Sequence, residues 1–172
     1  MDIIIFDTSV FIYSAVAKST TKFISGGKEM NSDTINLLKE CSSGCRMAEN
    51  SINQIEEFVQ NTELKDLLEA YKDEHLSIKE KIDNLLASDN KAGKEPGMMA
   101  SAFAWITTEM KMNIKNDANQ IAKIMMNGCN MGIQSLGENL TKYPEASNEA
   151  VLITKKLIRS EEEFHKKMEK FL

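Results

Sequence analysis

Two histidines and a set of glutamates are the residues whose types and spacing could do chemistry in this chain. The last stretch, Ala146 to Leu172, reads as one helix with Val151, Thr154, Ile158, Glu161, His165, Met168 and Leu172 at the three-four spacing of a buried seam. Two of those positions are ionisable. A charge on a buried face is unfavourable unless it is paired, hydrogen-bonded or bound to a metal, so Glu161 and His165 call for partners. Glu162 and His165 add a Glu-x-x-His, the i, i+3 spacing with which one helix offers two ligands to a metal inside a four-helix bundle. Short matches of this kind also arise in any charged helix, and the plainer reading is a solvated acidic run with a His near the helix end.

Three earlier segments must bring further groups to the same depth. Asn31, Ser32 and Asp33 are N-cap candidates for a long helix reaching about Asn61, with Ile35, Leu38, Ser42, Cys45, Glu49, Ile52 and Val59 near one face. Thr62 is placed to cap a second helix to about Ala87, on Leu64, Leu67, Leu68, Tyr71, His75, Ile78, Ile82 and Leu85. A third helix runs from about Ala118 to Leu140 on Ile121, Ala122, Met125, Gly128, Cys129, Gly132, Ile133 and Leu136. Gly128 and Gly132 each cost a helix interior roughly 1 kcal/mol relative to Ala, and together they let a helix, a ligand or a water come close.

Residues 88 to 97 form the clearest loop, and an amphipathic segment bearing Met98, Met99, Phe103, Trp105, Met110 and Met112 follows. The stretch between the second and third helices is long enough to cross a bundle of helices roughly 40 Å long, at about 1.5 Å per residue. In that topology Glu49, about 13 residues before the first turn, and His75, about 13 after it, share a level with Glu161 and Glu162. Three helices then aim ionisable residues at one layer. For His75 the alternatives are a metal ligand and a core histidine paired with Glu49.

Composition supports helix and excludes several functions. Among 172 residues there are only 2 Pro and 8 Gly, and 6% are aromatic, which disfavours a sheet protein. A net charge of -5 with no basic stripe argues against a nucleic-acid partner. No run of about 18 apolar residues is available to span a membrane. Cys41, Cys45 and Cys129 make an odd count that fits no disulfide framework, so the expected compartment is the cytoplasm and the thiols are read as small buried hydrophobes. Gly26, Gly27 and Lys28 lack the spacing of a phosphate loop.

Residues 1–29 read as an extension outside the domain. Their apolar, β-branched opening differs from the helical pattern that follows, and Gly26 to Met30 is what a purine-rich ribosome-binding site before an ATG start would encode. The expectation is therefore a start at Met30 and a domain over 30–172. Removing 1–29 takes away three acids and three bases, which leaves the net charge unchanged. The stretch Ile3 to Ser14 resembles the opening strand of PIN-domain ribonucleases, with Asp7 as the acid, although nothing downstream supplies the alternating strands of that fold.

Met30 to Leu172, with inward Glu, His and Glu-x-x-His on helices joined by a crossover, resembles the ferritin and rubrerythrin superfamily. It also resembles an uncharacterised family of small bacterial ferritin-like proteins, with Asn127 to Ile133 as a shared block. The resemblance implies an all-α, ferritin-like four-helix bundle with one long crossover containing an extra helical segment. It implies iron or manganese at the bundle centre, in iron handling or redox stress. Carried over by position, Glu49, His75 and the Glu162–His165 pair match the ligands, and the seam reading adds Glu161 as the alternative to Glu162. Lys72 stands where a bridging acid of the second helix is expected, so that acid is missing unless Asp73 or Glu74 substitutes, and Gly128 and Gly132 occupy the acid's layer on the third. A degenerate site for one ion is thus the expectation, in a homodimer joined through the crossover or a Met-rich face. The alternative is a metal-free interaction bundle in which the same residues form a buried polar network.

Overall fold

Helix-favouring composition is expressed as four long α-helices in the computed structural model, which describes residues 29–89 and 117–172. They are α1 (Ser32–Ile55), α2 (Thr62–Ser88), α3 (Ala118–Lys142) and α4 (Asn148–Met168), with single 3-10 turns at Glu56–Phe58 and Glu169–Phe171 and no strand among the described residues. Asp7 and the Met- and Trp-bearing segment before α3 lie outside the described residues.

Each helix begins where a short polar side chain can accept from its first free amides. Asn31 accepts from the Thr34 amide, Asn61 from Leu64, Asp117 from Asn119 and Ser147 from Ala150. The second cap is thus Asn61, with Thr62 already the first helical residue. The α1 helix ends at Ile55, earlier than its apolar pattern suggests, and a 3-10 turn closes it.

The hydrogen bonds at the helix ends fix direction. At one end the Asn31 side-chain amide donates to the Glu145 carbonyl between α3 and α4, at 2.6 Å, and the Met30 amide donates to Asp89 just past α2, at 3.1 Å. At the other end Asn119, early in α3, donates to the Leu172 carbonyl at 2.7 Å, and Lys170 pairs with Glu63 at the start of α2. So α1 and α4 run one way, while α2 and α3 both run the other. The pairs α1–α2 and α3–α4 pack most extensively, and the two pairs close on each other to form the bundle.

The core falls into two apolar clusters. One joins Ile52, Ile55, Leu64, Leu68, Ile121, Met125, Phe164 and Met168, and the other joins Leu37, Leu38, Cys41, Cys45, Ile78, Ile82, Ile153 and Leu157. Burying such a side chain contributes roughly 1.5–3 kcal/mol, which is what holds four amphipathic helices together. On α2 the buried residues Leu64, Leu68, Tyr71, His75, Ile78 and Ile82 match the expected seam. On α4 the seam is wider and turned. Thr154, Glu161 and Met168 are buried as expected, but the rest of the face is Ala150, Ile153, Leu157, Ser160 and Phe164. Val151, Ile158 and His165 lie half-buried at its margin, and Leu172 is exposed. The cause of the turn is visible in Phe164, whose ring stacks on Tyr71 with centroids 3.9 Å apart and so draws that side of α4 inward.

Candidate functional site

Between the two apolar clusters lies a polar layer. Glu161 on α4 is the only buried carboxylate among the described residues, at 7% exposure, and His75 on α2 is 1% exposed. The α2 register places Tyr71 one turn before His75, so both side chains leave the same face and meet Glu161 together. The Tyr71 hydroxyl donates to Glu161 Oε2 at 2.7 Å. His75 Nε2 stands 3.3 Å from Glu161 Oε1. Its other ring nitrogen, Nδ1, stands 2.9 Å from the Tyr71 carbonyl oxygen.

These contacts settle where hydrogens sit. A carbonyl oxygen can only accept, so Nδ1 carries a hydrogen and donates it to Tyr71. In a neutral imidazole that leaves Nε2 as an acceptor, facing a carboxylate oxygen that is also an acceptor. Two acceptors 3.3 Å apart in an apolar interior repel unless a positive charge lies between them, and a proton is the smallest that serves.

Two titratable neighbours of Glu161 are held protonated. Burial, and then the Glu161 charge, raise the Tyr71 hydroxyl well above its usual range and keep it a donor. The same two causes raise the Cys129 thiol. A thiol held protonated in this way is a poor nucleophile at neutral pH. On α3, Gly132 supplies clearance, since a Cβ there would stand 3.2 Å from Glu161 Oε1. The neighbouring Ser160 donates to Glu74 at 2.8 Å, and Lys156 reaches the same carboxylate.

One side of this layer opens to solvent. A cavity of about 270 Å³ lies between α1 and α3, with Glu40, Gly44, Met47, Met131 and Ser135 towards its mouth. Tyr71, His75, Cys129, Leu157 and Glu161 form its buried floor. No Lys or Arg lines it among the described residues.

Of the expected ligands, His75 and Glu161 are brought together, and Glu161 rather than Glu49 is the imidazole's partner. Glu49 is half-buried on α1, Glu162 is exposed, and His165 is half-buried on the margin of α4. No group of three or more His, Cys, Asp or Glu converges as a metal-holding set among the described residues. The Cys41, Cys45 and Cys129 thiols are free and buried, in keeping with their reading as small hydrophobes. Tyr71 and Cys129 were legible only as core positions, although the four-residue spacing of Tyr71 to His75 is a signal that a hydroxyl and an imidazole share one face. No helix among the described residues is long and apolar enough to cross a membrane. No family model matches the chain, and no curated protein or solved structure matches it either.

Proposed function

We propose that this bundle is a binding protein whose centre receives one positive charge between His75 and Glu161. The carrying observation is the commitment of Nδ1 to the Tyr71 carbonyl, which leaves Nε2 and Oε1 facing each other at 3.3 Å. A metal ion is the first occupant to consider, iron or manganese on the ferritin-like reading. Imidazole nitrogen and carboxylate oxygen are donors such ions accept, and an Nδ1 hydrogen bonded to a carbonyl is the outer contact that orients a ligating histidine. The residues fit one ion and not two, because Glu49, Glu162 and His165 are not gathered with the pair. Bound there, an ion would supply the charge that neutralises Glu161.

The common direction of α2 and α3 supports the finer reading of one long, ferritin-like crossover between them. Three buried free thiols support a cytoplasmic location. A homodimer through the Met-bearing face belongs to the same proposal, and sedimentation of the full chain reads it.

A second reading has its own support. The Tyr71 hydroxyl already donates to Glu161, so a proton alone completes a metal-free polar layer that specifies packing. Thermal unfolding separates the two. Manganese or anaerobic ferrous ion at millimolar concentration should raise the melting temperature of the wild-type chain by several degrees and leave a His75→Gln variant unmoved. No rise in either protein overturns the metal occupant and leaves the proton-held layer.

A further inference from the structure

The cavity between α1 and α3 offers more than an ion needs. We propose that it receives an organic cation, a primary amine on a slim apolar body, with its ammonium capping the pair from the cavity side and donating to both His75 Nε2 and Glu161 Oε1. This rests on the pair being a cation-receiving centre, and it names the cation's class.

Four features of the cavity carry the inference. At the floor are two acceptors 3.3 Å apart, and an ammonium, with three donors, satisfies both in place of the proton between them. That proton passes to solvent. The walls are apolar and adaptable, with Met47 from α1, Met125 and Leu136 from α3 and Leu157 from α4, so they match a hydrocarbon body better than the water shell of an inorganic ion. The charge is one-sided: Glu40 stands towards the mouth, and no Lys or Arg among the described residues lines the cavity, so an anion is disfavoured along its whole path. Finally, the approach to Oε1 is kept open by Gly132, where even a methyl group would press on the carboxylate.

Size narrows the class. A cavity of about 270 Å³ lies at the lower end of the range of small-molecule sites, so the body it receives is small. An ammonium also suits the donor count better than a metal ion. It needs hydrogen-bond acceptors and apolar walls, both of which are present, whereas a metal ion held by this pair would complete its coordination with water.

The test is calorimetric titration of the full chain with three probes of nearly equal size: 2-phenylethylamine, 2-phenylethanol and phenylacetate. The amine should bind about tenfold or more tightly than the alcohol, and phenylacetate should not bind. Glu161→Gln should remove the amine's advantage while leaving the alcohol's affinity in place. Ser135→Trp, an exposed change at the mouth, should abolish binding of both. Should Glu161→Gln fail to fold, the ranking of the three probes on the wild-type chain still decides. Equal binding of amine and alcohol, both lost in Ser135→Trp, would overturn the ammonium while keeping the cavity as a site. If the amine fails to bind but manganese raises the melting temperature through His75, the centre takes a cation and the organic cation is wrong. Failure of every probe and of the metal overturns both readings.

Discussion

At the level of Glu161 the two sides of the bundle are built differently. On the α2–α4 side polar groups are drawn together: Tyr71 donates to Glu161, Ser160 donates to Glu74, and the Tyr71–Phe164 stack seals the gap. On the α1–α3 side the same carboxylate faces a cavity walled by methionines and small residues. One carboxylate therefore has a face that belongs to folding and a face that is available for binding. Closure comes from aromatic rings and donated hydrogen bonds, and openness comes from side chains that are missing, above all at Gly132. A buried charge can be kept at a cavity's floor when a closed side supplies donors enough to hold it.

That contrast can be broken from the closed side first. Tyr71→Phe removes a hydrogen bond to a buried carboxylate with almost no change of volume, and it should cost about 2–3 kcal/mol in urea unfolding. A loss within a few tenths of wild type would mean that Glu161 is not held from α2.

Alkaline pH probes how far closure extends along the bundle. Burial raises Cys41 from 9.0 to about 11, partly offset by its contact with Thr154, and raises Cys45 to about 12. The native state keeps these protons where the unfolded chain releases them. The contribution is whole below pH 9 and is lost as pH climbs towards 12, and Cys41 alone should cost about 2 kcal/mol by pH 11. Cys41→Ala should flatten the fall in stability measured between pH 9 and pH 11. An unchanged slope would mean that solvent reaches this cluster.

The open side gives the smallest and most local effects. A Cβ at Gly44 or at Gly137 meets nothing within 4 Å, so Gly44→Ala and Gly137→Ala should each stabilise by about 0.5–1 kcal/mol through helix propensity. Gly132→Ala should gain less, or lose, because its Cβ would stand 3.2 Å from Glu161 Oε1. Equal gains at all three, read as urea midpoints, would show that Glu161 does not rest against α3.

Much of this architecture is legible in residue spacing. The α2 stripe through His75 is strict, and its six buried residues can be read directly from the sequence. Helix starts are also legible, because Asn and Ser before an apolar run leave few choices of cap, though Asn61 and Thr62 differ only in which of two adjacent side chains takes the role. The α4 register is harder. An apolar stripe can be drawn through Val151 and Ile158 or through Ile153 and Leu157, and only the stacking of Phe164 on Tyr71 chooses between them. Glu161 lies within either stripe, and the choice turns Glu162 and His165 away from the centre, since neighbouring residues stand about 100° apart around a helix. The partner of His75 follows from tertiary contact and not from depth alone. Glu49 sits at the right level, but Ala48 takes the core-facing position beside it. The cavity is the least legible feature. Glycines four apart signal close approach, but whether a helix or a void fills the space depends on how far α1 stands off.

The polar layer also divides the hydrophobic core into two clusters that share all four helices. The four helices run unbroken through the layer, so their backbones tie the two clusters together. The half around Leu37, Ile82 and Ile153 is further stitched by the bonds that tie the Asn31 end of α1 to the α3–α4 turn. A molecule seated at Glu161 would touch both clusters at once, and would act as a rivet between two halves that the bare chain joins through its helix backbones.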